Sequence, residues 1–311
     1  MLLPPSHTSE AFDGDRFVLD CRGKRLDCRP GIPEGAHVMG ILNVTPDSFS
    51  DGGRYIRVDD ALRRAGEMVE EGAAIIDVGG ESTRPRGAVY GEGAAAVPAE
   101  VERKRVIPVI EGIRSRFPEV LVSIDTYKPE VARAALDAGA HIVNDITGLR
   151  FGPEMATIAA EYGAPLVVMH SLGKPGALPH ATGYRDVVQE VYDALKTAVT
   201  TAEQAGVAHV VTDPGFGFGK LPAENLMLLN RVDRFLSLGR PVLVGVSRKS
   251  TIGVVLGSTD SPVPPEGRLF GSLGATAVAV LRGATIVRTH DVRPTVEMLR
   301  VLAATATQGL A

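Results

Sequence analysis

The hydrophobic and polar positions of this chain follow one repeated order, in which a short apolar run precedes a polar loop and an amphipathic stretch. The run at 38–43 is apolar without alternation, which is typical of a strand buried on both faces. Beyond the loop that follows, residues 58–71 carry apolar side chains at helical spacing, and Gly72 stands just past them. The pattern predicts a strand, a loop and a helix.

This unit recurs to the end of the chain. The predicted strands are 38–43, 74–79, 121–125, 140–145, 165–170, 208–213, 241–247 and 284–290, and the predicted helices are 58–71, 97–116, 129–137, 153–162, 184–205, 225–238, 267–281 and 293–304. Strands that alternate with helices pair in parallel, and eight such units close into a single (β/α)8 TIM barrel of the α/β class. An open doubly wound sheet is the weaker alternative, because no strand is followed by a G-x-G-x-x-G turn.

A smaller pattern precedes the barrel. Segments 17–21 and 24–28 flank a turn at Arg22-Gly23, which predicts a short N-terminal β-hairpin. Residues 1–15 show no such pattern and are expected to be a flexible N-terminus. Residues 16–311 are therefore expected to form one domain, the barrel with its hairpin.

Composition and charge exclude several classes of function. The chain has 44% hydrophobic and 23% charged residues, and its net charge of −4 comes from interspersed charges of both signs. Neither nucleic acid nor a membrane is expected as a partner. No signal peptide is predicted, and no apolar run approaches the ~20 residues of a membrane span. Two cysteines, Cys21 and Cys28, are too few for a disulfide framework, so we expect structural thiols in a cytoplasmic protein.

Polar residues follow nearly every predicted strand, at the end of the barrel where proteins of this fold carry their function. They are Asn43, 81–85, Asp125, Asn144-Asp145, His170, Asp213, 247–250 and 288–290. Capping of the next helix explains any one of them equally well, but it does not explain the whole set. The loop at 44–53 is rich in Thr, Pro, Asp, Ser and Gly, and it is either a wall of a site or an ordinary surface loop. Together, the polar residues at the strand ends favour a functional site.

Neighbouring strands are expected to bring some of these side chains together. The third and fourth strands are adjacent, so Asp125 and Asn144 should project side by side. The eighth strand closes against the first, which should place Arg288 and His290 next to Asn43. Arg288 and His290 are two residues apart and share one side of their strand. An arginine and a histidine beside an amide form an anion site, in which the arginine grips a phosphate bidentately.

A second group lies across the mouth of the predicted barrel and consists of Asp125, Asn144, Asp213 and Lys249. Two carboxylates and an amide suit a flat heterocycle rich in N–H donors, such as an aminopyrimidine ring. The motif at 215–220, Gly-Phe-Gly-Phe-Gly-Lys, looks like a phosphate loop, but its spacing and the following leucine do not fit G-x-x-x-x-G-K-[ST]. Its Lys220 is equally well a solvated surface charge or a ligand group.

Several motifs stand at these strand ends. They are Asn-Val-Thr-Pro-Asp-Ser-Phe-Ser-Asp-Gly-Gly at 43–53, Gly-Gly-Glu-Ser-Thr-Arg-Pro at 79–85, Ser-Ile-Asp-Thr at 123–126, Asn-Asp at 144–145, Asp-Pro-Gly-Phe-Gly-Phe-Gly-Lys at 213–220, Ser-Arg-Lys-Ser at 247–250 and Arg-Thr-His-Asp-Val at 288–292. With them, the chain resembles the dihydropteroate synthase family, (β/α)8 enzymes of folate synthesis, from about Val38 to its end. The motifs are highly specific together, and those at 43–53 and 247–250 are each strong alone.

The resemblance implies an enzyme with small-molecule substrates. It implies a transferase that joins 6-hydroxymethyl-7,8-dihydropterin pyrophosphate to p-aminobenzoate, giving 7,8-dihydropteroate and pyrophosphate, with Mg²⁺ as cofactor. The pyrophosphate ester would ionise before the amine attacks, because an arylamine is a weak nucleophile. The family also suggests a homodimer.

The resemblance further implies a role for each matching residue. The pterin would be bound by Asp125, Asn144, Asp213 and Lys249. The pyrophosphate would be bound by Asn43, Arg288 and His290, with Asn43 also a ligand of the metal. The binding site for p-aminobenzoate, with the loops that close over it, would be formed by Phe49, Asp51, Thr83, Arg84, Pro85 and Ser250. The catalytic residues would be Asp125, Lys249, Arg288 and His290.

Three departures from the family's usual pattern leave alternatives open. Ser171-Leu172 follow His170 where methionine is usual, Thr251 stands where phenylalanine is usual, and the second loop carries extra residues at 86–93. A catalytically weak or silent pterin-binding paralogue is therefore one alternative. The other is a methyltetrahydrofolate–corrinoid methyltransferase. That enzyme would share the Asp and Asn contacts with the pterin, but its substrate carries no pyrophosphate to bind.

Overall fold

The computed structural model describes residues 15–30, 36–45, 54–81, 97–173 and 183–307. The strands are β1 Val18–Asp20, β2 Arg25–Asp27, β3 His37–Asn43, β4 Ile75–Gly79, β5 Leu121–Asp125, β6 Ile142–Asp145, β7 Leu166–Met169, β8 Val210–Asp213, β9 Leu243–Val244 and β10 Ile286–Thr289. The helices are α1 Arg54–Glu70, α2 Ala99–Arg116, α3 Pro129–Asp137, α4 Glu154–Glu161, α5 Val187–Gln204, α6 Pro222–Asn230, α7 Val232–Leu236, α8 Ser250–Leu256, α9 Leu269–Leu281 and α10 Val292–Thr307.

Strands β3 to β10 form one parallel sheet in the order β8-β7-β6-β5-β4-β3-β10-β9. The sheet closes where β8 meets the segment before β9, because the N–H of Thr212 donates to the carbonyl of Pro241 at 2.9 Å. Thr212 and Val242 also form a parallel bridge there. The predicted (β/α)8 barrel is therefore confirmed.

The helices and strands after β8 differ from the prediction. The helix predicted at 225–238 is two helices, α6 and α7, because the backbone of Arg231 leaves the helical region with φ −124° and ψ 30°. Helix α8 was absent from the prediction, since its two turns are too short to show a helical period. Strand β9 pairs at only two residues, because the chain beyond it turns away as the loop that carries Lys249.

The barrel interior has an apolar layer and a polar layer. Each strand contributes one residue to the apolar layer: Met39, Ile75, Leu121, Ile142, Val167, Val211, Leu243 and Ile286. Residues two positions further along a strand face the same side. In five of the strands these are polar, and they form what we call the polar layer: Asp77, Ser123, Asn144, Asp213 and Arg288. The polar layer lies towards the carboxyl ends of the strands, where a site is expected.

The N-terminal hairpin of β1 and β2 closes the other end of the barrel. Its Leu19, Cys21, Leu26 and Cys28 are buried against the apolar layer. At the turn, Arg22 has φ 58° and donates to the carbonyl of Leu136 at the end of α3, at 2.8 Å. Both cysteines are free, as predicted, and burial raises the pKa of each thiol.

Two further predictions concern the ends of the chain and the membrane. The flexible N-terminus expected for 1–15 lies, apart from Asp15, outside the described residues. Within the described ranges, none of the helices has both the length and the apolar character to cross a membrane.

Candidate active site

Arg288 is the central cation of the polar layer. Its Nε donates to Oδ2 of Asp77 at 2.6 Å, and a terminal nitrogen donates to Oδ2 of Asp125, also at 2.6 Å. Nδ2 of Asn144 donates to the same Asp77 oxygen at 3.1 Å. Four strands that are far apart in sequence, β4, β5, β6 and β10, are thus joined inside the barrel. The pairing offsets the cost of burying these charges.

Asp77 is a site residue that the sequence analysis missed. The apolar run at 74–79 assigns it to a strand, yet its side chain is fully buried and belongs to the polar layer. The signal was present in the sequence, because a carboxylate inside an apolar run is costly unless it is paired. Its position two residues before Gly79 also places it on the inward face.

Two carboxylate oxygens of this site are buried acceptors in need of donors. Within the described part of the chain, Oδ1 of Asp77 and Oδ1 of Asp125 have no hydrogen-bond partner. Burial raises the pKa of Asp125 to about 7, and the charge of Arg288 opposes this rise. Buried acceptors without a hydrogen-bond partner are rare, because burial removes their hydrogen bonds to water and this costs free energy. A ligand with N–H donors would satisfy both oxygens.

Asn43, Asp125 and Asn144 lie in one row across the sheet. The register pairs Asn43 with Gly79, Gly79 with Asp125, and Asp125 with Asn144, so the last two are side by side as expected. A Cβ on Gly79 would lie 3.6 Å from both Oδ1 of Asn43 and Oδ2 of Asp125. The glycine therefore leaves a notch between an amide oxygen and a carboxylate.

The position of Arg288 differs from the expected one next to Asn43. Strand β10 pairs with β3 in a register that sets Arg288 opposite Met39, four residues before Asn43 along the strand. The strands of a barrel are staggered by its shear, so neighbouring strands do not end at the same height. Arg288 consequently binds Asp77 and Asp125, which takes two of its five N–H donors.

His290 follows β10 and contacts Ser247. The hydroxyl oxygen of Ser247 accepts the backbone N–H of His290 at 3.2 Å and lies 3.1 Å from its Nδ1. Burial, followed by the charges of Arg288 and Arg248, lowers the pKa of His290 to about 4. A neutral ring whose Nδ1 accepts the hydroxyl proton carries its own proton on Nε2. His290 can therefore donate to an anion while it is itself uncharged.

Lys249 enters the site from the N-terminus of α8, directly after Arg248. The φ of 56° at Arg248 turns the chain, and its guanidinium holds Asp291 at 3.0 Å. The amine of Lys249 donates to the carbonyl of Phe216 and lies 4.5 Å from the ring centre of Phe218. Burial lowers the pKa of Lys249 to about 7, against the attraction of a nearby carboxylate.

That carboxylate belongs to Asp213, the last residue of β8. Its Oδ1 accepts the N–H of Gly215 at 2.7 Å. Burial raises the pKa of Asp213, and the charge of Lys249 opposes the rise. Asp213 and Lys249 thus form an oppositely charged pair on the side of the barrel where β8 and β9 meet.

Segment 215–220 is a wall of this site and has no room for a phosphate at its core. Gly215 has φ 70°, and a Cβ on it would lie 1.9 Å from the carbonyl oxygen of His170, so only glycine fits. The amine of Lys220 donates to the carbonyls of Gly215, Phe218 and His170 at 2.9, 3.2 and 3.3 Å. Lys220 is partly buried and ties the loop to the end of β7.

The remaining predicted residues fall into two groups. Ser250 is half-buried and begins α8. Phe49, Asp51, Thr83, Arg84 and Pro85 lie outside the described residues, as do the extra loop residues at 86–93. The binding site for p-aminobenzoate therefore stays a prediction.

Ser171, where the chain departs from the family pattern, is held in place. Its side chain is buried and its hydroxyl donates to the carbonyl of Gly173 at 3.0 Å. Its own carbonyl accepts from Arg150 at 2.6 Å. The altered segment thus has its own hydrogen bonds, and it leaves the polar layer intact.

The oxygen atoms of Asn43 and Asp125 are the candidate ligands for a metal ion. Among the described residues, no three His, Cys, Asp or Glu side chains are grouped as a metal cage. Asn43 offers one amide oxygen beside the Asp125 carboxylate. This set fits Mg²⁺, which is usually bound by one or two protein oxygens together with substrate phosphates and water.

Comparison with known proteins agrees with the fold. A family model described as pterin binding enzyme matches residues 39–290. The dihydropteroate synthase of Escherichia coli (strain K12) is 49% identical over 271 residues, which cover 86% of this chain and 91% of that protein. The solved structure of Xanthomonas albilineans dihydropteroate synthase with 4-aminobenzoic acid is 43% identical with a TM-score of 0.82, and covers 95% of this chain and 100% of that one. A structure of that synthase in complex with 7,8-dihydropteroate is 41% identical with a TM-score of 0.79. The match covers 94% of this chain and 100% of that one.

The barrel and its buried acceptors thus define a pterin binding enzyme. Within that class, the chain belongs to the dihydropteroate synthase family, as its motifs predicted.

Proposed function

We propose that this chain condenses 6-hydroxymethyl-7,8-dihydropterin pyrophosphate with p-aminobenzoate, and releases 7,8-dihydropteroate and pyrophosphate. The observation that carries the proposal is the pair of buried, unpartnered oxygens on Asp77 and Asp125. Asn144 and Asp213 lie on the same inner face of the barrel, and the amino and ring N–H groups of a pterin would supply the missing donors. The synthases of the same family, described above, support the reaction.

The pterin is proposed to lie between Asp125 and Asn144 on one side and Asp213 and Lys249 on the other. Ionisation of the pyrophosphate ester leaves a cation on the methylene carbon that spreads into the ring, and the carboxylate of Asp125 stabilises it. Arg288 and the Nε2–H of His290 stabilise the departing anion. The aniline nitrogen then attacks the cation, so that no strong general base is required.

Mg²⁺ is the proposed cofactor, with Asn43 as its protein ligand and the substrate's phosphate oxygens as the others. When bound, it would withdraw charge from the leaving pyrophosphate. The p-aminobenzoate is proposed to contact Phe49, Thr83, Pro85 and Ser250, with Asp51 and Arg84 ordering the loops. A cytoplasmic location is also proposed, and the free thiols of Cys21 and Cys28 support it.

The proposal is tested by incubating the protein with the pterin pyrophosphate, Mg²⁺ and labelled p-aminobenzoate. Formation of labelled dihydropteroate is the expected result. Pterin binding without product would favour the silent paralogue instead. Methyl transfer from methyltetrahydrofolate to a corrinoid protein would favour the methyltransferase.

Pterin affinity is expected to be greatest near pH 7. Below about pH 7 Asp125 takes up a proton and loses an acceptor, and above about pH 7 Lys249 loses its charge, because both pKa values are about 7. His290 has a pKa of about 4 and contributes to neither limb. Calorimetry on both sides of pH 7 checks this. The pKa of Lys220 in the wall of the site is also lowered to about 7 by burial, so Lys249→Met should reduce the high-pH decline and keep the low-pH one. A high-pH decline of wild-type size contradicts the assignment.

We also propose that the protein is a homodimer through the α8–α9 face, defined by Val255, Leu256 and Phe270. These side chains are 57%, 48% and 83% exposed. The two helices touch, because a Cβ on Gly271 would lie 3.0 Å from Leu256. Large apolar side chains grouped on one surface are typical of an interface. The same family supports a second copy of this chain as the partner.

Phe270→Asp is therefore expected to convert the dimer to a monomer in sedimentation velocity. A charge at the centre of an apolar interface stays unpaired and loses its hydration, which weakens association strongly. Val101→Asp on α2 is the matched control, since Val101 is exposed and α2 packs against α1 and α3 rather than against α8 or α9. A Phe270→Asp protein that sediments as the dimer would refute the α8–α9 interface.

A further inference from the structure

Asn225 is a buried amide that connects three segments of the site wall. It lies in α6 and is 1% exposed. Its Oδ1 accepts the N–H of Gly217 at 2.7 Å, and its Nδ2 donates to the carbonyl of Lys220 at 3.2 Å and to Oγ1 of Thr251 at 2.9 Å. A backbone N–H can only donate and a carbonyl can only accept, so these partners fix the orientation of the amide.

Each of these contacts lies next to Lys249. Gly217 has φ 83°, and a Cβ on it would lie 2.8 Å from Cδ of Lys249, so the lysine stem rests on this glycine. The carbonyl that accepts from the amine belongs to Phe216, the preceding residue. Asn225 therefore holds the surface on which the whole Lys249 side chain lies.

Thr251 holds the other end of Lys249, its backbone. Lys249 is the N-cap residue directly before α8, and Thr251 is in the first turn of that helix. Thr251 is 1% exposed, and its hydroxyl accepts from Asn225. One amide thus fixes both the backbone and the stem of the lysine. A threonine here is also one of the places where the chain departs from its family's usual motif.

We propose that Asn225 and Thr251 are positioning residues, which hold the amine of Lys249 at the pterin pocket through their shared hydrogen bond. The inference rests on the proposed function, because it takes the pterin as the ligand of Lys249. A phenylalanine at 251 could not form this bond.

The experiment compares Thr251→Val, which removes only the hydroxyl, with Thr251→Ser, which keeps it. Thr285→Val is the matched control, since Thr285 is a buried threonine at the opposite end of the barrel. Pterin affinity is measured by calorimetry, and thermal unfolding is measured in parallel. We expect Thr251→Val to weaken pterin binding by about three- to tenfold, as for the loss of one neutral hydrogen bond. Thr251→Ser should restore the affinity and Thr285→Val should leave it unchanged.

A second comparison separates positioning from general stability. In a Lys249→Met background, Thr251→Val should no longer change pterin affinity, although it should lower the unfolding temperature as before. A Thr251→Val protein with wild-type affinity would overturn the proposal. An equal loss in both backgrounds would also overturn it, because the hydroxyl would then act independently of Lys249. These binding measurements need no turnover, so a wild-type protein that binds pterin without making dihydropteroate refutes the proposed function alone.

Discussion

Arg288→Met is expected to lower kcat by about 10²- to 10³-fold, the range found when one donor to a developing negative charge is removed. In the proposed mechanism Arg288 supplies the cation for the departing pyrophosphate, and in the structure it neutralises Asp77 and Asp125. Methionine fills similar space without charge. The measurement is steady-state turnover of the two substrates at saturating concentrations.

The same change has a structural cost that must be separated from catalysis. Removing one partner of a buried ion pair typically costs about 3–5 kcal/mol, because the other charge stays buried and unpaired. The double variant Arg288→Met with Asp77→Asn also removes one of the two carboxylate charges left unpaired, so it should recover part of the unfolding temperature. We expect no recovery of kcat. Turnover that returns along with stability would show that Arg288 serves only the fold.

Asp213→Asn is expected to weaken pterin binding by at least about tenfold with little change in folding. Hydrogen bonds to charged groups contribute about 1.5–3 kcal/mol, and 1.4 kcal/mol corresponds to tenfold. The asparagine oxygen can still accept from Gly215, as the aspartate does at 2.7 Å. Its NH₂ then stands where the pterin needs an acceptor. Calorimetry with the pterin substrate gives the affinity.

The control for this substitution makes the same chemical change elsewhere. Asp186 is exposed and caps α5 by accepting from Val188 and Gln189, and asparagine caps a helix equally well. Asp186→Asn should therefore leave pterin affinity unchanged. If Asp213→Asn binds pterin as tightly as this control does, Asp213 is not a pterin ligand.

Much of the fold was predictable because it follows from local periodicity. The limits of β5 and α3 agree residue for residue with the prediction, since each has a short apolar run or helical face bounded by clear end signals. Helix α8 was not predictable in this way. Its seven residues are defined by contacts with α6 and α9 rather than by a pattern of their own.

The candidate site was predictable where polar residues end a strand and not where they lie within one. Asp125 and Asp213 end their strands, Asn144 stands one residue before the end of β6, and all three were found by position. Asp77 lies inside β4, and only the closure of the barrel shows that it faces Arg288. Asn225 was missed for a related reason, because its partners are backbone groups of a loop, which carry no side-chain signature.

The hairpin at the bottom of the barrel affects the order in which substrates enter and products leave. Leu19, Cys21, Leu26 and Cys28 close that end against the apolar layer, so in the described part of the chain the polar layer is reached from the carboxyl ends of the strands. A molecule that binds at the depth of Asp77 has to pass everything bound nearer the rim. With the ligands in the proposed positions, we expect the pterin to arrive before p-aminobenzoate and to depart only as part of the product, because a molecule bound at the rim blocks the exit of the molecule beneath it.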